Sequence, residues 1–305
     1  MRAFLLLGCV ACLGCATAGE RFGDGGGGDG GVADAAPPFG DGGRVFGDAS
    51  GTGGGEACSQ AATLVYAIAT DGVLRSFNPA TLAFTTIGPL GCNTSALPNS
   101  MAVDRAATAW VNMADGSLWK VSTRDASCEA TSYQLGQLDR RIRGMGFATD
   151  SAQATAESLY ACTTDYVKHT GGGLAKINLP SLTLTLVGDY TNGLGGSECE
   201  LTGTGDARLF GFFATLSPPK LAEIDERTAV TPNPIPLGGV DTTLSYAFSF
   251  WGGDFWFYTQ GSGVGSTVTH YKYATDRSYE TAIQDTGFTI VGAGVSTCAP
   301  LTPPK

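Results

Sequence analysis

Five times along the chain one short frame returns, apolar, any, any, apolar, polar. It reads Leu74-Arg-Ser-Phe-Asn78, Leu118-Trp-Lys-Val-Ser122, Leu174-Ala-Lys-Ile-Asn178, Leu221-Ala-Glu-Ile-Asp225 and Val268-Thr-His-Tyr-Lys272. The starts are 44, 56, 47 and 47 residues apart, close to the period of a blade made from four antiparallel strands. A unit of that size cannot bury both of its own faces, so it must stack against copies of itself. The 45 glycines and the low share of charged residues, 15%, suit many tight turns between buried strands rather than surface helices.

The frame marks the third strand of each unit, and its neighbours can be placed around it by β-branched and aromatic runs between turn residues. Second strands are expected at Val65 to Ala69, Thr108 to Met113, Ser158 to Thr163, Leu209 to Ala214 and Asp254 to Thr259. Fourth strands are expected at Phe84 to Ile87, Tyr133 to Leu135 and Leu184 to Val187. First, innermost strands are expected at Ser100 to Val103, Gly144 to Ala148, Glu198 to Thr202 and Ser245 to Phe250, which leaves the first unit without one. The segment from Phe288 to Thr297 is left over and can supply it. The expectation is an all-β, five-bladed β-propeller closed by a C-terminal strand, an arrangement that leaves no open sheet edge at the seam.

The first fifteen residues hold one positive charge, Arg2, then an apolar run broken by Gly8, the pattern of an export signal too short to span a bilayer. Leu13-Gly14-Cys15-Ala16 resembles a bacterial lipobox, with Cys12 standing where leucine is usual. Cys9 fits the motif at its first position, but the apolar core before it would be too short, so Cys15 is the expected lipidation site. Residues 16–57 are mostly Gly, Asp, Ala and Pro, a tether with too little apolar surface to fold. The expected organisation is a leader over 1–15, a linker over 16–57 and the propeller over 58–301, in an outer-membrane lipoprotein acting as a monomer.

Six cysteines remain in the propeller, and in an oxidising compartment an even set reads as three disulfides. Cys58 and Cys298 flank the place of the missing hairpin turn, so they should lock the ring. Cys162, ending a second strand, and Cys199, beginning the next inner strand, fall on one face and are expected to pair, and Cys92 with Cys128 follows by elimination. No Cys-x-x-Cys spacing is present, and the two histidines, His169 and His270, are far apart in sequence, so no metal or other cofactor is expected. A net charge of −10 argues against a nucleic-acid partner.

The runs Phe250-Trp-Gly-Gly-Asp-Phe-Trp256 and Val291-Gly-Ala-Gly-Val-Ser-Thr-Cys-Ala-Pro300 resemble uncharacterised propeller lipoproteins of the myxobacterial type. That likeness spans residues 58–301 and implies the fold and the address, with no activity to carry over.

Functional candidates divide into two classes. Asp104, Asp150 and Glu198 or Glu200 lie near inner strands, where some five-bladed glycoside hydrolases present carboxylates from different strands, about 5 to 9 Å apart. Asp104 and Asp150 sit at turns, where Asp caps backbone amides. Gly195-Gly-Ser-Glu-Cys199 approaches a nucleophile elbow but ends in cysteine and lacks a strand-turn-helix context. The aromatic run from Phe248 to Tyr258 reads as core between blades. A binding role instead draws on Arg140, Arg141 and Arg143 with Tyr166, Lys168, His169, Tyr190 and Asn192 on loops of one face. Arginine beside aromatic side chains suits a glycan, an anionic polymer or a protein ligand. The preferred expectation is a non-catalytic binding protein, its concave surface lined by Arg, Tyr and His without converging carboxylates.

Overall fold

The computed structural model describes residues 58–304 apart from Gln153, Thr243, Ser262 and Val264. The leader, Cys9, Cys12, Cys15 and the Gly-rich segment lie outside the described residues. Blade 1 holds β1 (Val65–Ala69), β2 (Val73–Asn78) and β3 (Ala83–Pro89). Blade 2 holds β4 (Pro98–Val103), β5 (Thr108–Met113), β6 (Leu118–Ser122) and β7 (Cys128–Ala130). Blade 3 follows with β8 (Arg140–Thr149), β9 (Glu157–Asp165), β10 (Thr170–Asn178) and β11 (Thr183–Gly188). Blade 4 has β12 (Glu200–Gly203), β13 (Leu209–Phe213), β14 (Lys220–Ile224) and β15 (Ile235–Pro236). Blade 5 has β16 (Ser245–Trp251), β17 (Asp254–Gln260), β18 (Thr267–Tyr271) and β19 (Tyr279–Ile283), and β20 (Ile290–Val295) returns to blade 1.

Each blade is a four-stranded antiparallel sheet, and the first reads β20-β1-β2-β3, so the ring is closed by the last strand. Val65 pairs with Val295 and Ile68 with Gly292 along that seam. The inner strands neighbour one another in a cycle, β20 to β4, β4 to β8, β8 to β12, β12 to β16 and β16 back to β20. Crowding at the axis is solved by glycine. A Cβ on Gly144 would stand 2.3 Å from the Cys199 carbonyl oxygen of the next inner strand, and one on Gly203 would stand 2.1 Å from that of Phe147. Backbone cannot retreat from such contacts, so these two positions accept no side chain.

Between blades the two inner strands of each sheet bury both faces, as their near-continuous apolar runs require, while the outer strands are largely exposed. The aromatic run of blade 5 is core: Phe248, Phe255, Phe257 and Phe212 stack and tilt between blades 4 and 5, while Phe77 meets Trp256 and Tyr258 across the seam. Cys58 is bonded to Cys298 with Cα atoms 5.6 Å apart, and Cys92 to Cys128 at 4.8 Å, both pairings as expected.

Three details differ from the sequence reading. The outer strand of blade 2 is β7, since Cys128 to Ala130 carry the pairing with β6. Tyr133 is instead buried in the cluster between blades 2 and 3, where its ring serves packing. The outer strands of blades 4 and 5, β15 and β19, follow long loops that gave no local signal. Finally, Cys162 and Cys199 are adjacent but remain free thiols. The Cys162 sulfur accepts the Cys199 amide at 2.8 Å and the Cys199 thiol turns to the Tyr190 hydroxyl at 3.3 Å, so each sulfur is satisfied without a bond between them.

Candidate functional site

The inner strands all run in the same direction, and their first residues surround one opening. A cavity of about 200 Å³ lies there, lined by Pro98 and Asn99 of blade 2, Arg143 of blade 3, Glu198 to Glu200 of blade 4, Leu244 to Tyr246 of blade 5 and Val291 of the closing strand. Every blade therefore contributes to it. A second hollow of about 260 Å³ lies between blades 1 and 2, over Leu90, Ala96, Leu97 and Met113, and shares Pro98 with the axial cavity.

Arg143 reaches the axis because the ladder slips by one residue between Ile142 and Gly144, which breaks the alternation of side chains along β8. Such a bulge re-aims one side chain, and bulges are frequent beside functional sites. Its guanidinium meets the Glu198 carboxylate at 3.2 Å and the Thr164 hydroxyl at 2.8 Å, and that hydroxyl donates to Glu198 at 2.6 Å. Asn99 is fixed on the other side, donating to the Arg143 carbonyl at 2.8 Å and to Asn112 at 3.2 Å. Beneath them Glu200, only 5% exposed, accepts the Ser100 hydroxyl at 2.8 Å. Burial holds the Glu200 carboxyl well above the usual range, and burial together with Glu200 and Glu198 raises the Tyr246 phenol.

At the far end of the axis polar cross-links join the blades. The Arg105 amide and the Thr297 hydroxyl both donate to Glu157 at 2.7 Å, and a Cβ on Gly205 would stand 2.3 Å from the Thr297 carbonyl oxygen. Asp104 caps its turn, accepting the Thr108 amide at 2.8 Å and the Trp110 indole at 3.0 Å, and Asp150 accepts the Ser158 hydroxyl at 2.5 Å. Both carboxylates serve the turns in which they stand.

The loop residues expected to form one site are dispersed. Arg140 turns back to Asp165 at 2.6 Å across a space that Gly172 leaves open, and Arg141 donates to the Ala114 carbonyl of blade 2. Tyr166, Lys168 and His169 are exposed at the tip of the tall blade 3 hairpin, with Lys168 3.8 Å from Asp165. Tyr190 is a correction: it is 4% exposed and packs edge-on against Phe213, so it faces no ligand. Asn192 donates to the carbonyl of Thr231 at 2.6 Å and ties its loop to the one between β14 and β15. Of these eight, only Arg143 lines the axial cavity.

His270 stacks on Trp256 at 4.2 Å and bonds Asp254 at 2.8 Å, away from Ser197 in sequence and in blade. Two carboxylates, Glu198 and Glu200, line the cavity. They stand two residues apart on one chain segment, which puts them on one wall.

Asn99, Ser245, Tyr246 and Val291 were missed. They share a signal, since each is the first or second residue of an inner strand, and a reading that aligned strand starts across the five repeats would have gathered them.

Among known proteins, no family model and no curated protein matches this chain. Solved structures similar to it include a catalytically inactive virginiamycin B lyase from Staphylococcus aureus with quinupristin. It has 12% identity and a TM-score of 0.40, over 74% of this chain and 71% of that one. A protein of unknown function from Bacteroides caccae has 8% identity and a TM-score of 0.38, over 76% of this chain and 97% of that one. These likenesses assign no activity to this chain.

Proposed function

We propose that this chain is an exported lipoprotein, anchored at the outer membrane through Cys15, whose propeller binds the end group of a small polar ligand in the axial mouth without turning it over. The observation that carries the reading is the cavity itself: five blades contribute to it, and it mixes donors, acceptors and the apolar surfaces of Leu244, Tyr246 and Val291. Pockets of that mixed character bind and orient small molecules, and 200 Å³ has room for a unit of monosaccharide size. The neighbouring hollow past Pro98 would take the next part of a longer ligand.

An anionic polymer loses support, because Arg140 and Arg143 are already paired with carboxylates of the protein. The rival reading, a glycoside-acting hydrolase, draws on Glu198 and Glu200. A glycosidic bond must be flanked from two sides, however, and these two share one wall.

The test is a glycan array with the mature chain. Arg143→Ala and Asn99→Ala should each weaken the ligand found by roughly tenfold or more, the scale of a lost charged or buried hydrogen bond. Ligands that ignore both substitutions would refute the site. Turnover of an aryl glycoside that disappears in Glu198→Gln would establish the hydrolase instead. The anchor is checked separately: Cys15→Ser should move the protein from the membrane to the soluble fraction, and continued membrane attachment would refute lipidation at that residue.

A further inference from the structure

Glu200 is a buried carboxylate that meets no cation among the described residues. One of its oxygens accepts the Ser100 hydroxyl at 2.8 Å, and the Met145 amide donates to that same hydroxyl at 3.2 Å, which leaves its proton committed to Glu200. The other oxygen has no donor among the described residues, although Glu200 lines the open cavity. Arg143, the arginine of the lining, is given over to Glu198 and Thr164. The remaining titratable groups around Glu200 are Cys162 on β9, Cys199 beside it and Tyr246 on β16, and ionising any of them adds negative charge. A carboxylate held this way is costly unless a cation or further donors reach it.

We propose that the axial mouth recognises a ligand bearing a primary ammonium group, with Glu200 as its counter-charge and Tyr246 as an aromatic wall beside it. The inference rests on the axial mouth being the binding site. Aromatic rings attract cations through their faces, so Tyr246 adds to what the carboxylate supplies. A metal ion fits less well, since among the described residues no three His, Cys, Asp or Glu side chains are grouped to hold one. Before binding, desolvation favours the protonated carboxyl. The arriving ammonium makes the carboxylate the favoured form, so the proton leaves to solvent and the pair is neutral.

Glucosamine and glucose are suitable probes because they differ by an ammonium group in place of one hydroxyl, and putrescine tests the ammonium without the sugar. Calorimetric titration of the mature chain near pH 6, in two buffers of different ionisation enthalpy, gives affinity and proton release together. Glucosamine should bind at least roughly tenfold tighter than glucose, as expected for a close charge pair, and release more protons than glucose does. Glu200→Gln should bind the two sugars alike and release none, while Ser100→Ala, which keeps the carboxylate, should retain the preference. Equal affinity of the wild type for both sugars, a preference that survives in Glu200→Gln, or failure of glucosamine and putrescine alike to bind would overturn the inference. If the array ligand still depends on Arg143 and Asn99 in those cases, the mouth stands as the site and only its ammonium preference falls. If no ligand depends on them, both fall.

Discussion

Replacing Cys58 and Cys298 together by serine should lower the unfolding free energy by about 5 kcal/mol, because that bond closes a loop with a sequence separation of 240 residues. A cross-link restricts the unfolded chain in proportion to the logarithm of the loop it closes. The Cys92 to Cys128 bond, with a separation of 36, should therefore contribute about 4 kcal/mol by the same relation. In a domain of this size the first loss corresponds to a fall in Tm of about 10 °C or more. Calorimetric melting of the two double-serine variants tests the order. If the Cys58 and Cys298 variant melts with the wild type, the bond does not constrain the seam.

The second large effect is a dependence on pH at the far end of the axis. Burial pushes the Glu157 carboxyl up to about 7, against the hydrogen bonds from Arg105 and Thr297 that pull it down. The unfolded chain releases this proton near the ordinary value of 4.5, whereas the folded chain keeps it until about 7. The folded state thus holds more protons between those values, and stability falls as pH rises through that window, by about 3 kcal/mol in all, then levels off. Asp104, Glu200 and Glu226 are also raised by burial and tilt the curve the same way, so the informative quantity is the difference between the wild type and Glu157→Gln. Unfolding free energies from urea titrations at pH 5 and pH 8 should differ by about 2.5 kcal/mol less in the glutamine variant than in the wild type. An unchanged gap would mean that Glu157 is solvated enough to ionise normally in the fold.

The ring was legible in the sequence because its period is written in third strands, where Leu74, Leu118, Leu174, Leu221 and Val268 are all buried against a neighbouring blade. The closing strand was legible for a topological reason, since Phe288 to Thr297 had no other sheet to join. What could not be read was side-chain direction. Arg140, Arg141 and Arg143 are nearly contiguous, yet one turns to Asp165, one to blade 2 and one to the axis, because a one-residue slip in β8 decides which way Arg143 faces. Tyr190 looked like a loop aromatic, but Cys199 and Phe213 draw it into the core. The cysteine pair failed likewise: proximity was readable, whereas the competing partners of each sulfur were not.

The position of β20 also dictates an order of assembly. The chain must deliver the other nineteen strands among the described residues before β1 acquires its inner partner. Until then the first blade carries an unpaired edge whose residues, Val65 to Ala69, are all buried in the finished ring. A truncation that removes β20 should consequently yield an association-prone chain rather than a smaller propeller.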